Sequence, residues 1–223
     1  MASPPPSPSR RKSPAKPAAS GPGRPKDLGK RAAILEAAKQ LFAREGFAGA
    51  SMDKIAAEAG VSKLTVYSHF GDKEALFAAA IRAKCEEMMP ADLFHLELKG
   101  PLRNQLKAIA TGFFALVSSE EAISTHRMML SPGNADDPLR KLFWEAGPKR
   151  TQEDFAAFLQ ARVDAGELEI PDVARATEQF FTLLKGELHA RMLCGLCARP
   201  QRVDVAAHLD ACVDLFLRAY AVR

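Results

Sequence analysis

Apolar residues recur along this chain with a helical period, and no stretch carries the alternation of a strand. In the segment 28–45, Ile34, Leu35, Ala38, Leu41 and Phe42 form one stripe at i, i+1, i+4, i+7 and i+8. Gly46 closes that helix, and Phe47 packs beneath it. Met52, Ile55, Ala56 and Ala59 then share one face of a short helix. Ser51 caps it, and Asp53 places a negative charge where the helix dipole favours one. A longer helix follows over 72–89 and is terminated by Pro90. Further helices are expected over 102–118, 121–130, 138–165, 173–193 and 203–220. Ser131-Pro132-Gly133-Asn134 marks a loop, and Gly147-Pro148 either kinks one helix or separates two. The pattern predicts an all-α protein of about nine helices.

The segment 46–76 organises the rest. Gly60 stops the short helix because glycine enters the left-handed C′ conformation freely. Val61 plugs the corner, and Ser62 caps a second helix that runs to about residue 69. Two short helices joined by a tight glycine-containing turn form a helix-turn-helix, whose second helix lies in the DNA major groove. At about 100° per residue, Val66 and Phe70 face the core, and Leu64, Thr65 and Ser68 face roughly the other way. Tyr67 and His69 flank that outer face, within reach of phosphates on the two groove walls. Lys63 adds charge in the first turn, and Lys73 sits in the first turn of the helix that Asp72 caps.

This stretch resembles the DNA-binding domain of the TetR/AcrR family of bacterial transcriptional regulators. The resemblance rests on Gly46, Phe47, Ser51, Ile55, Ala56, Ala59, Gly60, Val61, Ser62, Thr65, Val66, Tyr67, His69, Phe70, Lys73, Glu74 and Leu76. It implies a three-helix DNA-binding domain over 27–72 and a helical ligand-binding and dimerisation domain over 73–223. It also implies that Ser51, Lys63, Thr65, Tyr67, His69 and Lys73 contact DNA. Leu64 departs from the small residue the family often has there, and its side chain suits contact with a thymine methyl. The final run, AAHLDACVDLFLRAYA, looks like the ligand domain of the AcrR-like branch. In such regulators the last two helices form a four-helix bundle with a second copy. Phe181, Leu188, Leu209, Val213, Phe216 and Tyr220 are the residues expected at that interface.

Charge changes the picture at one end only. The net charge is +4 over 223 residues. Residues 1–26 hold six basic residues and no acidic one, which leaves 25 basic and 27 acidic residues elsewhere. Eight of the fifteen prolines lie in the same 26 residues. That composition predicts a disordered basic arm. Gly-Arg-Pro-Lys at 23–26 resembles the minor-groove core of an AT-hook, with Arg24 as the residue that would enter DNA. The alternative is a solubilising leader, since phosphate attraction needs no specific contact. No run of 18 or more apolar residues is present, and no apolar segment follows the basic start, so neither a membrane span nor a signal peptide is expected. The four cysteines then read as reduced thiols of a cytoplasmic, nucleoid-associated protein.

The remaining candidate chemistry is sparse. Cys194 and Cys197 form a CxxC at the end of a helix, where a thioredoxin-like site would want a helix start after a strand. No second pair of ligands is spaced for zinc, so two buried thiols near a dimer interface are the plainer reading. His95, His126 and His189 each sit among apolar residues and read as partnered structural histidines or as pocket residues. A ligand pocket is expected from Phe113, His126, Met129, Phe143, Trp144, Phe155 and Phe158. No enzyme activity, metal or cofactor is expected. The function expected is a homodimeric, sequence-specific repressor that binds a palindromic double-stranded operator and responds to a small apolar or amphipathic effector. Two other classes compete with it: a thiol redox sensor or oxidoreductase on Cys194 and Cys197, and a ligand-independent, nonspecific DNA binder driven by the arm.

Overall fold

The computed structural model describes residues 27–95, 100–131 and 137–222. Residues 1–26, expected as an arm with Arg24, residues 132–136, which hold most of the loop expected at 131–134, and the His95 side chain lie outside the described residues. Eleven helices are present among those described: α1 (Leu28–Gly49), α2 (Met52–Glu58), α3 (Lys63–Phe70), α4 (Lys73–Met88), α5 (Asp92–His95), α6 (Leu102–Val117), α7 (Glu120–Leu130), α8 (Pro138–Ala146), α9 (Pro148–Asp164), α10 (Val173–Leu193) and α11 (Arg202–Tyr220). The expected nine become eleven for two reasons. Residues 92–95 form a single short turn that shows no periodicity of its own. Gly147-Pro148 separates α8 from α9: Gly147 leaves the helical region at φ −130°, ψ −78°, and Pro148 starts α9 where its missing N–H costs nothing.

The expected stripes fold into two hydrophobic clusters. In the first, Ile34 and Leu41 of α1, Ile55 of α2 and Val66 of α3 are sealed against Leu76 and Phe77 of α4. Phe42, Phe47 and Phe77 meet ring to ring at 5.1–5.8 Å between centroids, the spacing at which edge and offset contacts add to area burial. The second cluster joins α6, α9, α10 and α11 through Ile109, Phe155, Leu159, Phe180, Leu184 and Val213. The far end of α4 packs against it through Cys85 and Met88, so α4 is shared by both bodies.

One local departure carries weight later. α1 does not stop before Gly46 but runs to Gly49 with a break at Gly46, whose φ of +70° only glycine takes without strain. α7 meets the two backbone groups that flank this break. The Phe47 N–H donates to Met128 Sδ at 3.2 Å, and Ser124 Oγ donates to the Ala43 carbonyl at 2.5 Å.

The second cluster corrects the expected dimer face. Leu209, Val213 and Phe216 are 2%, 0% and 2% exposed and fill the protomer's own core. Phe181 is buried too, against Phe113 at 4.3 Å between ring centroids. Leu188 and Tyr220 are half-buried. Periodicity identified the apolar face of α10 and α11, but that face is needed to close the chain on itself. The outward residues are Leu183 on α10 and Val203, Ala207, Ala211 and Leu215 on α11.

Phe155 is fully buried and rests against Phe158, Phe180 and Phe181 at 4.8–5.9 Å between centroids. Phe155→Ala should therefore destabilise the fold by about 3–5 kcal/mol through lost transfer energy and a residual void. Urea unfolding followed by circular dichroism measures it; a loss below about 1 kcal/mol would show that the stack does not hold this cluster together.

Candidate nucleic-acid interface and effector cavity

The turn between α2 and α3 is built from backbone hydrogen bonds. Gly60 lies at φ +65°, its N–H donates to the Ala57 carbonyl at 3.2 Å, and the Val61 N–H donates to the Ala56 carbonyl at 3.0 Å. This pair of bonds is a Schellman closure, which satisfies the last carbonyls of α2 and turns the chain sharply. Both helices start on serine caps: Ser51 Oγ accepts from the Lys54 N–H and Ser62 Oγ from the Thr65 N–H, each at 3.2 Å. Val66, fully buried, pins α3 to the first cluster and fixes which side of α3 faces out.

That outer side carries Leu64, 79% exposed, with Tyr67 and Ser68 beside it, also exposed. Thr65 and His69 are half-buried. The Thr65 hydroxyl is paired with the Ser62 hydroxyl at 2.8 Å, and the Ser68 hydroxyl donates to the Thr65 carbonyl at 2.8 Å. Lys63 bridges Asp53 at 2.8 Å with both side chains more than half exposed, so the pair is weak and exchangeable. Lys73 Nζ lies 4.4 Å from the Phe47 ring centroid, a cation–π contact that holds the ammonium beside the start of α4. His69 Nδ1 is buried with no hydrogen-bond partner among the described residues. The structure thus brings Ser51, Lys63, Leu64, Thr65, Tyr67, Ser68, His69 and Lys73 into one surface region around α3 and the two helix starts that flank it.

A cavity of about 990 Å³ opens among α1, α4, α6, α7, α8, α9 and α10. Of the residues expected there, Phe113, His126, Met129, Phe143 and Trp144 line it. Phe155 and Phe158 do not: they are 0% and 3% exposed and belong to the second cluster, because their face of α9 turns toward α10 rather than toward the opening. Sequence reasoning missed Phe181 and Lys185 as cavity residues and left His189 open between a structural and a pocket role; all three line the cavity from α10. Their spacing of i, i+4 and i+8 was the available signal. A lysine and a histidine within an otherwise apolar helical face need a polar reason to be there.

Burial favours the neutral form of both cavity histidines. His126 Nδ1 lies 2.7 Å from the Ala122 carbonyl, which can only accept, so Nδ1 carries the proton. Burial lowers the His126 pKa against that bond, with Lys185 adding to the effect. Burial lowers His189 further, to about 4, with His126 and Lys185 contributing and a bond to the Val117 backbone opposing. The rings stand 5.6 Å apart at 84°. Nearby, burial pushes the Cys85 thiol up to about 11, so it is an inert wall group at neutral pH.

The CxxC is not the buried pair expected. Cys194 is exposed at the end of α10 and Cys197 is half-buried, because the chain leaves the protomer core there. Among the described residues no three His, Cys, Asp or Glu side chains are grouped to hold a metal ion. No described helix is long and apolar enough to cross a membrane.

An outward-facing second helix ahead of a hollow helical body defines a class of protein, the one-chain DNA-binding regulator. Comparison with known proteins narrows the class. Residues 34–80 match the family model "Bacterial regulatory proteins, tetR family", and residues 104–222 match "AefR-like transcriptional repressor, C-terminal domain". The chain belongs to the TetR family of bacterial regulatory proteins. Among solved structures, a TetR-family regulator from Mesorhizobium loti is 26% identical with a TM-score of 0.75, covering 90% of this chain and 100% of that one. The Flavonoid-responsive Regulator FrrA is 32% identical with a TM-score of 0.65, covering 88% and 100%. The transcriptional repressor SCO4008 of Streptomyces coelicolor is 48% identical over 54 residues, 24% of this chain and 28% of that protein. The match to the activator FasR of Mycolicibacterium smegmatis likewise spans only 42% of that protein, at 31% identity.

The His189 environment has a consequence for pH. The unfolded imidazole takes up a proton near the ordinary value of 6.5, whereas the folded one refuses it until about 4. Between those values the unfolded chain binds more protons, so acidification favours unfolding and the His189 contribution is lost as pH falls through that window. Thermal melting between pH 7 and 4 should show a falling midpoint, and His189→Gln should flatten the fall. Equal slopes in the two proteins would show that the ring is not held neutral by the fold.

Proposed function

We propose that this chain is a ligand-responsive transcriptional repressor that binds a palindromic operator as a homodimer. The observation that carries the reading is Leu64, a large apolar side chain 79% exposed at the crest of α3 and flanked by polar groups. An exposed leucine there gains by contact with a thymine methyl. Leu64, Thr65 and Ser68 read bases, Thr65 after giving up its bond to Ser62. Ser51, Lys63, Tyr67, His69 and Lys73 hold phosphates, which fixes register without carrying sequence information. The arm with Arg24 adds sequence-independent attraction. DNA would be read by two copies whose half-sites lie about 34–36 Å apart or a multiple of that.

The two copies pair through the outward residues Leu183, Val203, Ala207, Ala211 and Leu215, an apolar stripe of small and branched side chains. Repression follows the description of the matched C-terminal family and the names of relatives such as SCO4008. Responsiveness has two supports. The structural relative FrrA is named flavonoid-responsive, and SmeT, 25% identical with a TM-score of 0.64, was solved with triclosan.

α7 is the coupling element. Thr125, His126 and Met129 line the cavity, and Ser124 and Met128 hold the break in α1. An occupant that displaces α7 therefore acts directly on the helix that braces α2 and α3. It must favour the arrangement that does not bind DNA, or nothing shifts.

Selection of bound fragments from random duplex DNA at fixed salt should return an inverted repeat. Against that operator, Leu64→Ala should relax preference at one base position. Lys63→Ala should weaken binding evenly and lower the salt slope by about one. Tyr67→Phe should cost about 1 kcal/mol if the hydroxyl donates to a phosphate. Unselective binding, unchanged by Leu64→Ala, overturns the reading, and added duplex that never recruits two copies in sedimentation overturns the dimer.

A further inference from the structure

The cavity's polar groups specify more than an apolar guest. His126 spends its only N–H on the Ala122 carbonyl, which leaves Nε2 as a bare acceptor. His189 is 4% exposed, and its Nε2 is buried with no hydrogen-bond partner among the described residues. The Val117 backbone raises its pKa, the effect of an accepting carbonyl, which draws the proton away from Nε2 and leaves that nitrogen as an acceptor. Two neutral imidazoles thus stand 5.6 Å apart on the cavity wall, each with an unused lone pair. A buried acceptor without a donor is unfavourable, and an unmatched one in a cavity wall calls for a donor on the guest.

The walls set the rest of the guest's shape. Phe113, Phe143, Trp144 and Phe181 present ring faces and edges, which favour a flat aromatic body. Lys185 shares the α10 wall with His189. A hydroxyl can give its hydrogen to an imidazole while its oxygen accepts from an ammonium. A carboxylate brings acceptors only and leaves both imidazole lone pairs facing negative charge.

We propose that the cavity binds phenols: a planar aromatic molecule whose hydroxyl donates to Nε2 of the His126–His189 pair. This assignment rests on the reading of the cavity as the effector site and adds the chemistry of its guest. Protonation of either ring would destroy the acceptor, and the burial that keeps both rings neutral preserves it.

Trp144, the sole tryptophan, lines the cavity, so quenching of its fluorescence reports binding to the full chain. The probes are 4-hydroxybiphenyl, 4-methoxybiphenyl and biphenyl-4-carboxylate, which share one skeleton and differ in the polar group. The phenol should bind at least about tenfold more tightly than the ether or the acid, the margin expected when a buried acceptor is left unmatched. His126→Leu and His189→Leu should each bring phenol and ether within about twofold. The comparison within the unmodified protein needs no variant, so it stands even if His189→Leu fails to fold. Equal binding of phenol and ether, binding by none of the three, or a preference for the acid that Lys185→Met removes would overturn the proposal. Operator affinity measured with each probe separates this from the regulatory reading. A phenol that binds selectively without changing DNA affinity upholds the site and sinks ligand response. An ether that binds as well as the phenol and releases DNA equally upholds ligand response and sinks the phenol site.

Discussion

The break in α1 at Gly46 is the constraint on which the molecule's organisation depends. A helix that continued straight would leave Phe47 away from Phe42 and Phe77, and the first cluster would lose its aromatic centre. A broken helix exposes backbone groups that must be satisfied. Ser124 and Met128 reach across from α7 to meet the Ala43 carbonyl and the Phe47 N–H. The N-terminal body therefore leans on a helix from the other half of the chain. The contact is specific at the level of single atoms, and it joins the region that meets DNA to the wall of the cavity. α4, shared by both clusters, provides the second mechanical link.

The two histidines show how burial sets chemistry rather than only stability. In water each ring would be an even mixture of charge states near pH 6.5. Inside, desolvation and the neighbouring Lys185 hold both neutral, and backbone carbonyls choose the tautomer. The cavity is then mostly apolar but has a defined polarity at one place. The same burial turns Cys85 from a reactive thiol into a wall group. Cys194 and Cys197, by contrast, lie where the chain leaves the core and take no part in the cavity.

Much of this was legible in the sequence, for identifiable reasons. The helix-turn-helix could be read down to its caps because Ser51, Gly60, Ser62 and Asp72 act on their immediate neighbours, and local rules suffice for local bonds. Helix period also found the stripes, but not what each stripe faces. Leu209, Val213 and Phe216 were read as an interface and turn out to seal the protomer, while Phe155 and Phe158 were read as cavity wall and turn out to be core. Periodicity reports that a face is buried and carries no information about the partner that buries it. Lys185 escaped notice, and His189 stayed open between a structural and a pocket role, because their meaning depends on walls from α6 and α7, distant in the chain. The break in α1 was visible as a glycine, but its partners at 124 and 128 were not, since nothing local announces a bond across some eighty residues.

α7 stands in two places at once, and that limits how a lineage built on this chain can diversify. Its alternate residues serve different masters: Thr125, His126 and Met129 shape the cavity, Ser124 and Met128 seat the first helix. A change that retunes α7 for a new molecule also disturbs the register in which DNA is met. Adaptation to fresh chemical signals is freer along α8 and α9, whose residues Trp144 and Gln152 line the cavity without carrying the brace. Descendants would thus be expected to share the floor of the chamber and to differ in its far walls.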